Sequence, residues 1–329
     1  MIISRTPLRI SFAGGGSDLS AFYRREQGAV LSTAIDKYIY ITLNKKFDSK
    51  IRASYSVTEI VENVAQVKHE LIREALKHVG IENGIEITSI SDIPSQGTGL
   101  GSSSSYTVGL LNALHAYQWQ YVGADRLARE ACEIEIDLCG KAIGKQDQYI
   151  AAFGGLQFIR FNSDESVFVD PVICSVATKR HLEERLLLMY TGITRSAESI
   201  LREQIQNTQT DRDKHLSLRL MVGLAREMQE ALARNDVGSF GQLLHEGWEL
   251  KKKMANGITN PQIDAWYERA RQHGAIGGKI TGAGGGGFLL LYAEPTCHAA
   301  IINALPELCP VPFAFEPQGS KIIYVEEKI

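Results

Sequence analysis

The chain has little of what would stabilise or place it outside an ordinary soluble core. Its five cysteines, Cys132, Cys139, Cys174, Cys297 and Cys309, are odd in number and scattered over 329 residues, with no C-x-x-C pair. That pattern argues against a secreted disulfide framework and against structural zinc. Charge of one sign is also scarce. The 35 basic and 38 acidic side chains give a net charge of -3, with no long basic run, which makes nucleic acid a poor partner. No apolar stretch reaches the roughly 18 residues of a membrane span. "MIISRTPLRISFAGGG" opens on strand-like residues and lacks the layout of a signal peptide. The expectation is a cytoplasmic protein with neither a membrane nor a nucleic acid as partner.

What is present suits a globular protein of one large or two ordinary domains, at 44% apolar and 22% charged residues. "GAVLSTAIDKYIYITLNKKF" reads as one strand or two, "SKIRASYS" as another, and "GIEITSISDI" as a strand that stops at Pro94. Residues 65–79 carry Val67, Leu71, Ala75, Leu76 and Val79 at helical spacing. A helix to about 120 and another over 124–137 follow, then the strand "GGLQFIRF". Beyond it come the strand "ERLLLMYTG", an almost wholly helical block 196–254, a helix over 261–273, and short strands near 311–316 and 321–326. Strands come early and helices later, which predicts an α+β fold. The expected division is 1–170 and 171–329, although no proline- or glycine-rich linker marks it. The block 196–254 reads equally as a homodimer face and as a core face.

"PSQGTGLGSSSSYTVGLLNAL", residues 94–114, puts three glycines and four serines directly before an apolar helix. The first turn of a helix leaves N–H groups unpaired and carries partial positive charge. A glycine-rich approach lets an anion reach those donors, which makes a phosphate cradle. The competing reading is a tight turn and a plainly capped helix start. No lysine follows Gly101, so the loop is not G-x-x-x-x-G-K-[ST]. The dinucleotide fingerprint also fits poorly.

"PSQGTGLGSSSS" resembles the second signature of the GHMP kinases, usually P-x-x-x-G-L-G-S-S-A. "PLRISFAGGGSDL", residues 7–19, resembles their N-terminal substrate motif, and "GGKITGAGGGGF", residues 277–288, their C-terminal glycine motif. The resemblance implies an N-terminal domain like domain 2 of ribosomal protein S5 and a ferredoxin-like C-terminal domain. It implies ATP binding by Pro94, Gly97, Gly99, Leu100, Gly101, Ser102, Ser103 and Ser104, together with Gly284 and Gly285.

Phosphoryl transfer also needs an ion, a group that orients the hydroxyl, and positive charge. By resemblance Asp147, in "GKQDQ", is the catalytic aspartate. Glu135, twelve residues earlier, matches the family's magnesium-binding glutamate, with Ser103 as its partner on Mg²⁺. Glu133 and Asp137 read as solvated charges. Arg9 lies in an apolar strand, where it is costly unless paired, and resemblance puts it beside the catalytic aspartate. Its alternative is an edge residue facing water. Asp18 matches the acid that binds sugar hydroxyls, with Gly15, Gly16 and Ser17 as neighbours in the substrate motif. Its alternative role is a helix N-cap. Lys279 reads equally as a phosphate ligand and as a solvated lysine.

"AGGGSDLSAFY" and "LLLMYTGITRSAESIL" resemble the superfamily branch that holds heptose phosphate kinases and fucokinase-type enzymes. The acceptor implied is a sugar phosphate. Arg195, where a helix is expected to begin, would grip its phosphate, or else be a surface residue. The expected activity is ATP-dependent sugar 1-phosphorylation, with a silent sugar or nucleotide sensor as the non-enzymatic alternative.

Overall fold

The computed structural model describes residues 1–94, 97–194 and 197–326. β1 (Ile2–Ala13) leads through a glycine turn to a short helix, α1 (Ser20–Tyr23). β2 (Gly28–Lys45) is one continuous strand of 18 residues. Next come β3 (Ile51–Ser54), β4 (Thr58–Val61), α2 (Glu70–His78), β5 (Ile85–Ser91) and α3 (Ser102–Tyr117). α4 (Ala124–Cys132), α5 (Gln146–Phe153), β6 (Leu156–Phe161) and β7 (Val167–Pro171) follow. The chain then forms α6 (Val176–Glu184), β8 (Leu186–Tyr190), α7 (Ala197–Thr210), α8 (Arg212–Ala233), α9 (Phe240–Lys252) and α10 (Pro261–Gln272). It closes with β9 (Ala275–Ile280), β10 (Phe288–Ala293), α11 (His298–Ala304), β11 (Cys309–Pro310) and β12 (Lys321–Val325).

Two sheets result. The larger has the order β12-β1-β2-β5-β3-β4, with β6 against β2 and β7 against β6. β2 organises it by changing partners along its length. Gly28–Thr33 pairs with β6 and Ile39–Lys45 with β5, while β1 runs antiparallel along the other edge. The β1–β2 register shifts after Pro7, whose ring nitrogen has no hydrogen to give the ladder. β12 returns from the end of the chain to pair with β1. The smaller sheet is antiparallel, in the order β11-β8-β10-β9. α8 packs against β2, α9 against β9, and the two helices against each other. Phe240 of α9 meets Phe12 of β1 edge-on at 5.1 Å and lies 5.8 Å from Tyr292 of β10, so one core spans both sheets.

α3 is buried along most of its length. Gly109 lets it approach β1, since a Cβ there would sit 2.6 Å from Thr6 Oγ1. The helix behind the glycine-serine loop is therefore a central strut of the fold.

Three local expectations need correction. The periodic stretch 65–79 yields a single 3₁₀ turn, Val64–Gln66, before α2 begins at Glu70. The expected helix 124–137 stays α-helical to Cys132 and then widens into a π-helical turn, Glu133–Leu138. The segment near 311–316 contributes one bridge, Phe315 to Ile35, and the strand itself falls at Cys309–Pro310. No helix among the described residues is long and apolar enough to cross a membrane.

Candidate active site

A cleft of about 1030 Å³ lies between the two halves of the chain. β1, the 97–104 loop, the start of α5 and the glycine loop after β9 all reach it. Gly101, the N-cap position just before α3, takes the left-handed conformation (φ +78°), and no side chain caps the helix. The plain serine cap is therefore not what the sequence builds. The first-turn N–H groups keep their field, and Gly97, Thr98, Gly99, Gly101, Ser102, Ser103 and Ser104 line the cleft.

The two glycine loops support each other by close approach. Cβ atoms on Gly99 and Gly287 would meet the carbonyl oxygens of Thr281 and Thr98 at 2.5 and 2.3 Å. Thr281 Oγ1 donates to Thr98 O at 3.2 Å.

Arg9 reaches under this loop. Its amide donates to Leu100 O at 3.0 Å and its Nη1 to Gly99 O at 2.5 Å. Its Nε and Nη2 donate to the two oxygens of Asp147, each at 2.7 Å. Arg9 is 4% exposed, so the edge-strand alternative does not describe it. Asp147 stands in the first turn of α5 and faces the cleft.

Glu135 lies in the π-helical turn. It is fully buried there while Glu133 and Asp137 are exposed. Its oxygens accept from Ser103 Oγ and Gln148 Nε2, each at 2.7 Å. Lys141 Nζ stands 3.9 Å from Glu135 and 3.2 Å from Ser103 Oγ. Burial pushes the Glu135 carboxyl above its usual range. The two close donors to this fully buried carboxylate are neutral, and its one ammonium neighbour stays 3.9 Å away. Its oxygen donors suit Mg²⁺, which takes few protein ligands. Among the described residues no group of three or more His, Cys, Asp or Glu could hold a metal ion.

The alternative role of Asp18 as a helix N-cap does not hold. α1 begins after Leu19 and has no side-chain cap. The Asp18 carboxylate instead accepts from Gly16 N at 2.8 Å and Gln146 N at 3.3 Å, and it lines the cleft. Burial raises its pKa. Gly144 makes room for it, since a Cβ there would fall 1.9 Å from Asp18 Oδ2.

Gly15, Gly16 and Gly284 also line the cleft, whereas four other expected site residues do not. Ser17 is fully buried and closes a pair of hydrogen bonds with Ala29. Leu100 is core, and Pro94 faces solvent. The Gly285 amide is used by Ile258 O at 2.8 Å. Arg195 lies outside the described residues, and Thr194 before it lines the cleft.

Four lysines join the wall: Lys68, Lys141, Lys251 and Lys279. Lys279 is 6% exposed and donates to the carbonyls of Ser11 and Phe12, so it is not a solvated side chain. Lys141 and Lys251 carried no recognisable signal, because a lysine near a helix end is usually solvated. At the far end of the cleft, His69 packs between Tyr55 and Tyr106, at 4.6 and 5.3 Å.

Residues 59–155 match the GHMP kinases N terminal domain and residues 228–311 the GHMP kinases C terminal region. The chain is 32% identical to the D-glycero-alpha-D-manno-heptose 7-phosphate kinase of Campylobacter jejuni, over 92% of this chain and 93% of that one. It is 28% identical to the L-fucokinase/L-fucose-1-P guanylyltransferase of Bacteroides fragilis, over 95% of this chain and 37% of that longer protein. A crystal structure of a D-glycero-D-manno-heptose 1-phosphate kinase from Bacteroides thetaiotaomicron superposes with a TM-score of 0.81 at 27% identity, covering 99% of this chain and 100% of that one. With both halves matched in order and a relative aligned over nearly its full length, the chain belongs to the GHMP kinase family.

Proposed function

We propose that the protein is a cytoplasmic kinase that uses ATP to phosphorylate the anomeric hydroxyl of D-glycero-D-manno-heptose 7-phosphate. The product would be the 1,7-bisphosphate, a precursor of nucleotide-activated heptose for surface polysaccharide. The observation that carries this reading is Asp147, held by both oxygens to buried Arg9 and set beside the start of α3. The named relatives give the acceptor class.

The loop 97–104 and the first-turn amides of α3 bind the polyphosphate of ATP. Asp18, with Gly15 and Gly16, holds sugar hydroxyls, and Arg195 grips the 7-phosphate. Asp147 accepts the proton of the anomeric hydroxyl as its oxygen bonds to the γ-phosphorus and the bond to the β–γ bridging oxygen breaks. Arg9 fixes Asp147 and offsets charge as it develops. Glu135 and Ser103 would hold Mg²⁺, which when bound neutralises phosphate oxygens.

A coupled ADP-release assay across sugars and sugar phosphates tests the reading. The heptose 7-phosphate should give the highest kcat/KM. A higher value for L-fucose or galactose would replace it with a fucokinase-like or galactokinase-like activity, and no turnover of any sugar would end the kinase reading.

A further inference from the structure

The acceptor end of the cleft holds more buried positive charge than its acids offset. Lys251 is 5% exposed and Lys279 6%, and neither forms an ion pair among the described residues. Their partners are neutral. Lys251 Nζ donates to Gln204 Oε1 at 2.8 Å and approaches Gly15 O at 3.4 Å. Lys279 Nζ donates to Ser11 O at 2.9 Å and Phe12 O at 3.3 Å. An ammonium has three N–H donors, so each keeps one. A buried cation without a counter-charge is costly, and a chain gains from one chiefly when a ligand supplies the missing charge.

The two lysines differ in what they face. Lys279 donates to the carbonyls of Ser11 and Phe12 on β1, the strand that carries Arg9, whose guanidinium is committed to Asp147. Lys251 feels Asp18 and hangs over the Gly15–Gly16 turn, where the body of the sugar would lie. Polar groups without partners gather there. Ser11 Oγ is buried, unpaired and on the cleft wall, and Gln204 Nε2 is buried and unpaired. A Cβ on Gly15 would lie 3.7 Å from Ser11 Oγ, and one on Gly16 would run into Gln204 Nε2, so both unpaired groups border the Gly15–Gly16 turn.

We propose that Lys251, presented by Gln204 and flanked by the Ser11 hydroxyl, supplies a second cation, besides the grip proposed for Arg195, to an anionic substituent of the acceptor, a phosphomonoester, and thereby helps set the preference for a phosphorylated over a free sugar. This rests on the reading of Asp18 and Asp147 as the acceptor site. Lys251 is then a specificity residue.

The test compares kcat/KM for sugars and their phosphomonoesters in the wild type, beginning with the free heptose and its 7-phosphate. The best pair is repeated with Lys251→Met and, in case that variant is insoluble, Lys251→Gln. The phosphorylated-over-free ratio should fall at least about tenfold, the yield of one charge-assisted hydrogen bond, and KM for ATP should change less. A ratio within twofold of wild type, an equal loss toward ATP, or a wild-type preference for free sugars overturns the assignment. If another sugar phosphate outperforms the heptose, the heptose reading falls while the Lys251 assignment is still judged on that better pair. An enzyme that turns over no sugar overturns both.

Discussion

Arg9 and Asp147, 138 residues apart in the chain, are joined by two parallel hydrogen bonds of 2.7 Å. The planar fork leaves the carboxylate one orientation, facing the cleft at the mouth of the phosphate loop. In Asp147→Asn an amide N–H₂ would face the guanidinium and could not take a proton. The expected loss in kcat is about 10²–10⁴-fold. ATP affinity, measured by titration calorimetry, should be spared. Near-normal kcat would remove Asp147 from the role of base.

Gly99 carries a second prediction because it joins the two glycine loops. It sits at φ +72°, and an added Cβ would press to 2.5 Å from Thr281 O. Left-handed backbone costs a residue with a Cβ about 1–2 kcal/mol before any clash. Gly99→Ala should lower Tm and raise KM for ATP together. Gly223 is the contrast. It lies within α8, with negative φ and nothing within 4 Å of a Cβ. Gly223→Ala should stabilise the fold by about 0.5–1 kcal/mol and leave KM for ATP alone. Paired thermal melts and ATP titrations check both.

The contrast between these glycines shows what the sequence made legible. The three glycine-rich motifs stood out because their composition is extreme, and the long helices because their apolar period is clean. Arg9 was readable as a paired residue because an arginine in an apolar strand must find a partner. Lys251 was not readable, since its burial depends on α7 packing over the Gly15 turn, and no local pattern encodes that. The π-helical turn at Glu133–Leu138 was equally hidden. One extra residue per turn leaves composition unchanged, so nothing in the residue types marks it. β12 joins β1 by a contact between the two ends of the chain, beyond any sequence window.

Glu135 is a fully buried carboxylate whose two closest donors are neutral. Glu135→Gln keeps the shape and the Ser103 and Gln148 neighbours but removes the charge. The Mg²⁺ concentration for half-maximal activity should rise at least about tenfold, the worth of one charge-assisted ligand. Because burial disfavours the Glu135 anion, Tm measured without metal should hold or increase. An unchanged Mg²⁺ dependence would remove Glu135 from the ion's shell. Chelation with EDTA should abolish turnover in both proteins.

Lys251 and Lys279 give opposite pH signatures to activity and stability. Burial is the main cause in both, holding Lys251 down to about 8 and Lys279 to about 7 from a usual 10.5. Asp18 partly restores Lys251, while Lys251 and Arg9 push Lys279 lower. A phosphomonoester is mostly dianionic above pH about 6. Binding through Lys251 should therefore weaken as the free enzyme loses that proton, and kcat/KM for a phosphorylated acceptor should fall above pH about 8. Stability moves the other way. Between about 7 and 10.5 the unfolded chain keeps a proton on Lys279 that the folded protein has released, so this group's contribution to stability rises with pH across that window. Lys279→Met removes the buried charge and with it that slope. Its Tm advantage over wild type should be larger at pH 6 than at pH 9, and an equal advantage at both would show that Lys279 titrates as an ordinary lysine.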